Sequence, residues 1–255
     1  MLKKTFIVML MVVSVLMVYQ TKAAETEVFR VAVASNFNST LKQLRTDFRK
    51  KSGLNFTISQ ASSGKLYAQI MHGAPYDIFL SADEASADLL KKNGMASDTF
   101  EYAQGQLVFI SNDKHDAGCA DSLLKAVSEH AGRELAIANP KIAPYGLASK
   151  EVLERMGLWN VSRPAMLMGE NILQTYQYVS AGGVAAAFIA KSLLTVRLSE
   201  QYCIWSVPQK WYHPVRQKLA VINKTSVKPA VKAFVSYIRS ADAKKIIKKN
   251  GYLVH

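Results

Sequence analysis

Two short polar segments hold the residues best suited to chemistry in this chain of 255 residues. Ala34-Ser35-Asn36 follows the strand-like run Val28-Phe29-Arg30-Val31-Ala32-Val33, and Ala61-Ser62-Ser63-Gly64 follows Phe56-Thr57-Ile58-Ser59. Each segment precedes a helix-like run. Ser and Asn favour helix starts, where the first backbone N–H groups lack an intrahelical acceptor and side-chain hydroxyls stand beside them. The positive end of the helix dipole lies at the same place. Two such starts facing one cleft make an anion site that needs no charged side chain. This chemistry suits a receptor before it suits an enzyme.

Other chemistries find less in the sequence. A serine hydrolase needs a nucleophile with its base, and Ser62 or Ser63 with one of the histidines is the only candidate. There is no Gly-x-Ser-x-Gly elbow. His72, His115, His130, His213 and His255 show no metal-ligand spacing. Ser62-Ser63-Gly64-Lys65 resembles a piece of a nucleotide-binding P-loop but lacks the first Gly and the Ser or Thr after Lys. Lys65 is the one cation near the polar turns, and the first helical turn is expected to carry it toward solvent. Asp77 and Asp83 would repel a dianion, so neither is expected to face one; Asp83 reads as a cap for the helix after it.

The elements that position these turns alternate between strand and helix. Val28–Val33, Phe56–Ser59, Asp77–Leu80, Gln106–Ser111 and Leu135–Ala138 read as strands. Thr40–Lys51 reads as an amphipathic helix with Leu41, Leu44 and Phe48 inward, stopped by Gly53. Lys65–His72, with Leu66, Ile70 and Met71 inward, Ala85–Asn93 and Ser149–Met156 read as further helices. Strands separated by such helices predict an α/β fold of parallel βαβ units in a doubly wound sheet. Candidate crossing strands lie near Gly105–Ser111 and Trp211–Ile222. They would join residues 25–106 and 214–255 in one discontinuous lobe and leave 107–213 as the second.

The amino terminus bears on compartment. Lys3 and Lys4 precede an apolar stretch from Thr5 to Val18, followed by Thr21-Lys22-Ala23-Ala24, the layout of a secretory signal. The stretch is shorter than the ~20 residues a bilayer core needs. Cleavage after Ala23 removes three lysines and no acid, leaving 232 residues with a formal charge of +10 instead of +13. No cysteine near the cleavage point suggests a lipid anchor, and no later run is long enough to span a membrane. The positive charge hints at a polyanionic partner. Runs such as Lys244-Lys245 and Lys248-Lys249, however, suit a solvated helix face, and no nucleic-acid-binding signature accompanies them. Two cysteines, Cys119 and Cys203, permit one disulfide in an oxidising compartment without requiring it.

Several segments together resemble the periplasmic molybdate-binding proteins. Val31-Ala32-Val33-Ala34-Ser35, Gln60-Ala61-Ser62-Ser63-Gly64-Lys65-Leu66 and Gly73-Ala74-Pro75-Tyr76-Asp77-Ile78-Phe79-Leu80-Ser81-Ala82-Asp83 are similar to their first lobe. Ala138-Asn139-Pro140-Lys141-Ile142-Ala143-Pro144-Tyr145-Gly146 and Gly169-Glu170-Asn171-Ile172-Leu173-Gln174 resemble their second-lobe ligand turns. The resemblance runs in order from about Val28 to Tyr252. It implies a two-lobed fold of the type II periplasmic-binding-protein kind, with no enzymatic activity and no cofactor. The implied ligand is molybdate or tungstate, passed by a periplasmic monomer to an ABC permease and its ATPase. By position, Ser35 and Ser63 would supply hydroxyl and N–H donors, with Asn36 as a further donor. Tyr145 and Ile172 would each offer a backbone N–H. A tyrosine found in some members falls near Ile189, and this chain lacks it. A receptor for sulfate or phosphate on the same scaffold is the alternative.

Overall fold

The structure is a computed structural model that describes residues 29–112, 118–128, 134–222 and 228–254. The leader at 1–23 lies outside the described residues, as do Val28, His115, His130 and His255. Among the described residues ten strands are formed: β1 (Phe29–Ala34), β2 (Phe56–Ala61), β3 (Ile78–Leu80), β4 (Ala96–Gly105), β5 (Leu107–Ser111), β6 (Leu135–Ala138), β7 (Leu167–Gly169), β8 (Ala186–Ala190), β9 (Cys203–Ser206) and β10 (Val215–Ile222). The helices are α1 (Asn38–Ser52), α2 (Ser63–Met71), α3 (Glu84–Lys92), α4 (Cys119–Ser128), α5 (Pro144–Arg155), α6 (Trp159–Ser162), α7 (Ile172–Ser180), α8 (Val196–Gln201), α9 (Pro229–Ile238) and α10 (Ala241–Lys249).

The strands divide into two five-stranded sheets, β2-β1-β3-β10-β4 and β7-β6-β8-β5-β9. β1 is an inner strand, and both of its faces are apolar. Phe29, Val31 and Val33 enter one core with Phe48, Phe56 and Phe234, while Ala32 faces the other with Leu66 and Phe79. Helices therefore cover both faces, as the period-two pattern requires. On α1, Leu41, Leu44 and Phe48 form the buried stripe, and Gly53 ends the helix at φ 73°, donating its N–H to Arg49 O at 2.9 Å. In the second sheet, Phe109 and Phe188 meet at 5.2 Å between ring centroids.

Neither sheet is purely parallel, contrary to the sequence expectation. β1 pairs in parallel with β2 and β3, but β10 runs antiparallel to β3 and β4. β6 pairs in parallel with β7 and β8, while β5 runs antiparallel to β8 and β9. The exceptions are the strands that cross between sheets. A strand that enters from the opposite unit rather than by a helical crossover is free to run against its neighbours. Only Gln106 separates the end of β4 from the start of β5, and β10 brings the chain back.

Local boundaries differ in instructive ways. α2 begins at Ser63 rather than Lys65, and α5 begins at Pro144 rather than Ser149. Pro144 and Gly146 look like loop residues in sequence, yet proline at the first helical position presets φ for the helix. Met71, expected inward, is 38% exposed because α2 ends there. Cys119 and Cys203 are paired, with 5.5 Å between Cα atoms, and tie the start of α4 to β9. Among the described residues no helix is long and apolar enough to cross a membrane.

Candidate functional site

The site residues sit where parallel strands give way to helices. β1 ends at Ala34, and the 3₁₀ turn Ser35–Phe37 leads directly into α1. β2 ends at Ala61, with Ser62 at the N-cap position of α2. In the other lobe, β6 leads to the start of α5 at Pro144, and β7 to α7, capped by Asn171. Ligands of open α/β sheets bind in the crevice beyond the carboxyl ends of such strands. Here two crevices face each other.

Ser35, Asn36, Ser63, Tyr145 and Ile172 are all buried and line one cavity, so the structure gathers every sequence-predicted position. Ser62, Ala82, Pro144 and Asn171 line it too. No His, Lys, Arg, Asp or Glu is among its walls. The empty space among these residues is ≈ 190 Å³. Its walls are uncharged, and its polar groups are serine, asparagine and backbone.

Donors are left available by the way the helices begin. Ser63, Tyr145 and Ile172 are first-turn residues, so their N–H groups have no intrahelical acceptor. The Asn171 side chain accepts from Leu173 N–H at 3.0 Å and Gln174 N–H at 3.1 Å, which leaves Ile172 N–H outside the cap. Ser63 Oγ accepts from Ala82 N–H at 2.9 Å. That bond fixes the oxygen and leaves the hydroxyl proton for another partner.

Behind the cavity lies a buried polar network that the sequence did not suggest. Asn36 Nδ2 donates to Gln217 Oε1 at 3.0 Å and to Tyr252 Oη at 3.1 Å. Gln217 Nε2 donates to Tyr145 Oη at 3.2 Å, and Tyr102 Oη donates to Gln217 Oε1 at 2.9 Å. Tyr252 Oη donates to Asn36 O at 2.8 Å. Burial pushes the phenols of Tyr102, Tyr145 and Tyr252 above their usual range, so they remain neutral. The sequence offered no such signal, since Gln217 stands between Arg216 and Lys218 near the start of β10 and yet is wholly buried. Both amide hydrogens of Asn36 are engaged in this network. Ile189 pairs with Val108 inside the second sheet, fully buried and away from the cavity walls.

The lobes touch at the cleft mouth. Gly64 N–H donates to Ile142 O at 3.0 Å, and Lys65 Nζ lies 2.6 Å from Glu170 Oε2. A β-carbon on Gly64 would stand 3.1 Å from Ile142 Cα and O, so the close approach favours glycine. Lys65 thus points outward as expected, but it reaches across to the opposite lobe. Asp83 caps α3, accepting from Ser86 N–H at 2.6 Å, and burial raises its carboxyl pKa against that bond. Asp77 accepts from Arg30 N–H at 2.7 Å, and neither carboxylate lines the cavity. His213 pairs with Glu151 at 2.8 Å, elsewhere on the surface.

Comparison with known proteins places this geometry in context. Residues 29–253 match the family profile described as bacterial extracellular solute-binding protein. The molybdate-binding protein ModA of Azotobacter vinelandii is 34% identical over 240 residues, covering 90% of this chain and 91% of that protein. ModA of Rhodobacter capsulatus is 34% identical over 233 residues, covering 91% and 90%. The solved periplasmic molybdate-binding protein of Azotobacter vinelandii superposes with a TM-score of 0.81 at 33% identity, covering 89% of this chain and 99% of that one.

Proposed function

The chain belongs to the bacterial extracellular solute-binding proteins, and on that premise we propose that it captures molybdate or tungstate between its lobes and delivers it to an ABC importer. The observation that carries this reading is the meeting of uncharged helix starts around one small cavity. Proteins 34% identical over nine-tenths of the chain are molybdate-binding proteins, which agrees with it.

Ser35 and Ser63 provide hydroxyl donors from one lobe, and the N–H groups of Tyr145 and Ile172 provide donors from the other. Asn36 contributes its backbone N–H, since its amide hydrogens serve Gln217 and Tyr252. Each helix start carries roughly half a positive charge, and bonds to a charged acceptor are about twice as strong as neutral ones. Desolvating a dianion is costly, so each oxygen must find donors as the lobes shut. Protonated phosphate brings a hydroxyl that needs an acceptor in a site built of donors. Sulfate oxygens lie closer to their centre than those of molybdate, so fixed donors reach them poorly.

This role needs no cofactor and no catalysed reaction. The lobes are residues 25–106 with 214–255, and residues 107–213. The mature protein acts as a periplasmic monomer after removal of residues 1–23, with a permease and its ATPase as partners. Crystals of the mature chain soaked in molybdate provide the test. An anomalous peak among Ser35, Ser63, Tyr145 and Ile172 is expected, and a peak only elsewhere would end this reading.

A further inference from the structure

Ser62 does not do what a serine at a helix start ordinarily does. Its backbone has N-cap geometry (φ −69°, ψ 153°), yet its hydroxyl accepts no N–H from α2. A serine cap normally makes that bond. Asp83, Asn171, Thr195 and Ser240 all make it at the starts of α3, α7, α8 and α10. Ser62 is 3% exposed, and its Oγ has no hydrogen-bond partner among the described residues. Two other buried side-chain atoms share that condition, Asn38 Oδ1 and Thr40 Oγ1. Both belong to α1 and neither residue lines the cavity, whereas Ser62 does.

We infer that Ser62 is a further ligand contact, its hydroxyl donating to an oxygen of the bound oxyanion beside Ser63. The inference rests on the receptor reading above and adds a residue to it. The two neighbours differ in kind. Ser63 Oγ is held in place by Ala82 N–H, whereas no bond orients the Ser62 hydroxyl, which is free to rotate to meet an acceptor. Buried hydroxyls are almost always paired in folded proteins. One that finds its partner only on binding contributes to affinity and not to folding.

The test is calorimetric titration of the ligand-stripped mature chain with sodium molybdate, tungstate, sulfate and phosphate. It is run on wild type, Ser62→Ala and Ser62→Gly, with melting temperatures of the ligand-free forms. Glycine is nearly as good an N-cap as serine, so Ser62→Gly keeps the fold if alanine does not. Molybdate affinity is expected to fall by about tenfold or more, the range for a lost bond to a charged group. The ligand-free melting temperature of Ser62→Gly should stay unchanged. Equal affinity in a folded variant, with a lower melting temperature, assigns Ser62 to capping and overturns the inference alone. Wild type that binds none of the four anions overturns the receptor reading and the inference with it.

Discussion

Tyr145 Oη accepts a hydrogen bond from Gln217 Nε2 at 3.2 Å, which ties the first turn of α5 to the strand that re-enters the opposite sheet. A β-carbon on Gly105 would collide with that hydroxyl. The cavity-lining helix start of one lobe is thereby packed against both crossings. Gly105→Ala is expected to destabilise the fold by about 1–3 kcal/mol, as overpacking does. Urea unfolding measures this, and an unshifted midpoint would show that the crossing has slack.

Ser63→Ala removes a hydroxyl whose oxygen is already oriented by Ala82 N–H. Molybdate binding should weaken by about 1.5–3 kcal/mol, the value of a hydrogen bond to a charged group. Calorimetry on wild type should also rank molybdate and tungstate well above sulfate and phosphate. Sulfate binding as tight as molybdate would remove the size argument and favour a broader oxyanion receptor.

Gly64 donates its N–H across the cleft and leaves little room for a side chain against Ile142. Gly64→Ala should hold the lobes apart and lower affinity by about tenfold, with ligand-free stability little changed. Small-angle scattering with saturating molybdate should then report a larger radius of gyration than wild type. Matching radii would mean that the contact is incidental to closure.

The cavity walls carry no His, Lys or carboxylate, and burial keeps Tyr145 neutral. Affinity should therefore vary by less than about threefold between pH 6 and 9, well inside one pKa unit's worth of free energy. Stability behaves differently at high pH. Tyr102, Tyr145 and Tyr252 have folded pKa values raised above the ordinary 10.0. Their contribution is complete below that value and is lost as pH rises beyond it, because the unfolded chain releases these protons first. Urea midpoints falling above pH 10 would bear this out, and a flat profile there would contradict the buried network.

The sequence made the near half of the site legible because each polar turn follows an apolar strand, as Ser35 does after Val31-Ala32-Val33. It made the far half legible only through resemblance, since the role proposed for Tyr145 and Ile172 is a backbone one and their side chains advertise nothing. The start of α5 was misplaced for the same reason that makes it useful. Pro144 and Gly146 are turn residues by composition, and their helical role depends on Ala143 and Ala138 packed around them. The mixed direction of the sheets was hidden as well, because a crossing strand such as β10 has the same apolar pattern in either direction. Gln217 and Tyr252 stand 181 and 216 residues from Asn36, beyond the reach of any local pattern.

The disulfide joins α4 to β9, two elements that both belong with the second sheet. Its covalent clasp therefore braces one rigid body at its rim and never bridges the crossings. Oxidation hardens the protein against unfolding without welding its jaws. The covalent crosslink and the strands that connect the two sheets are carried by separate parts of the chain.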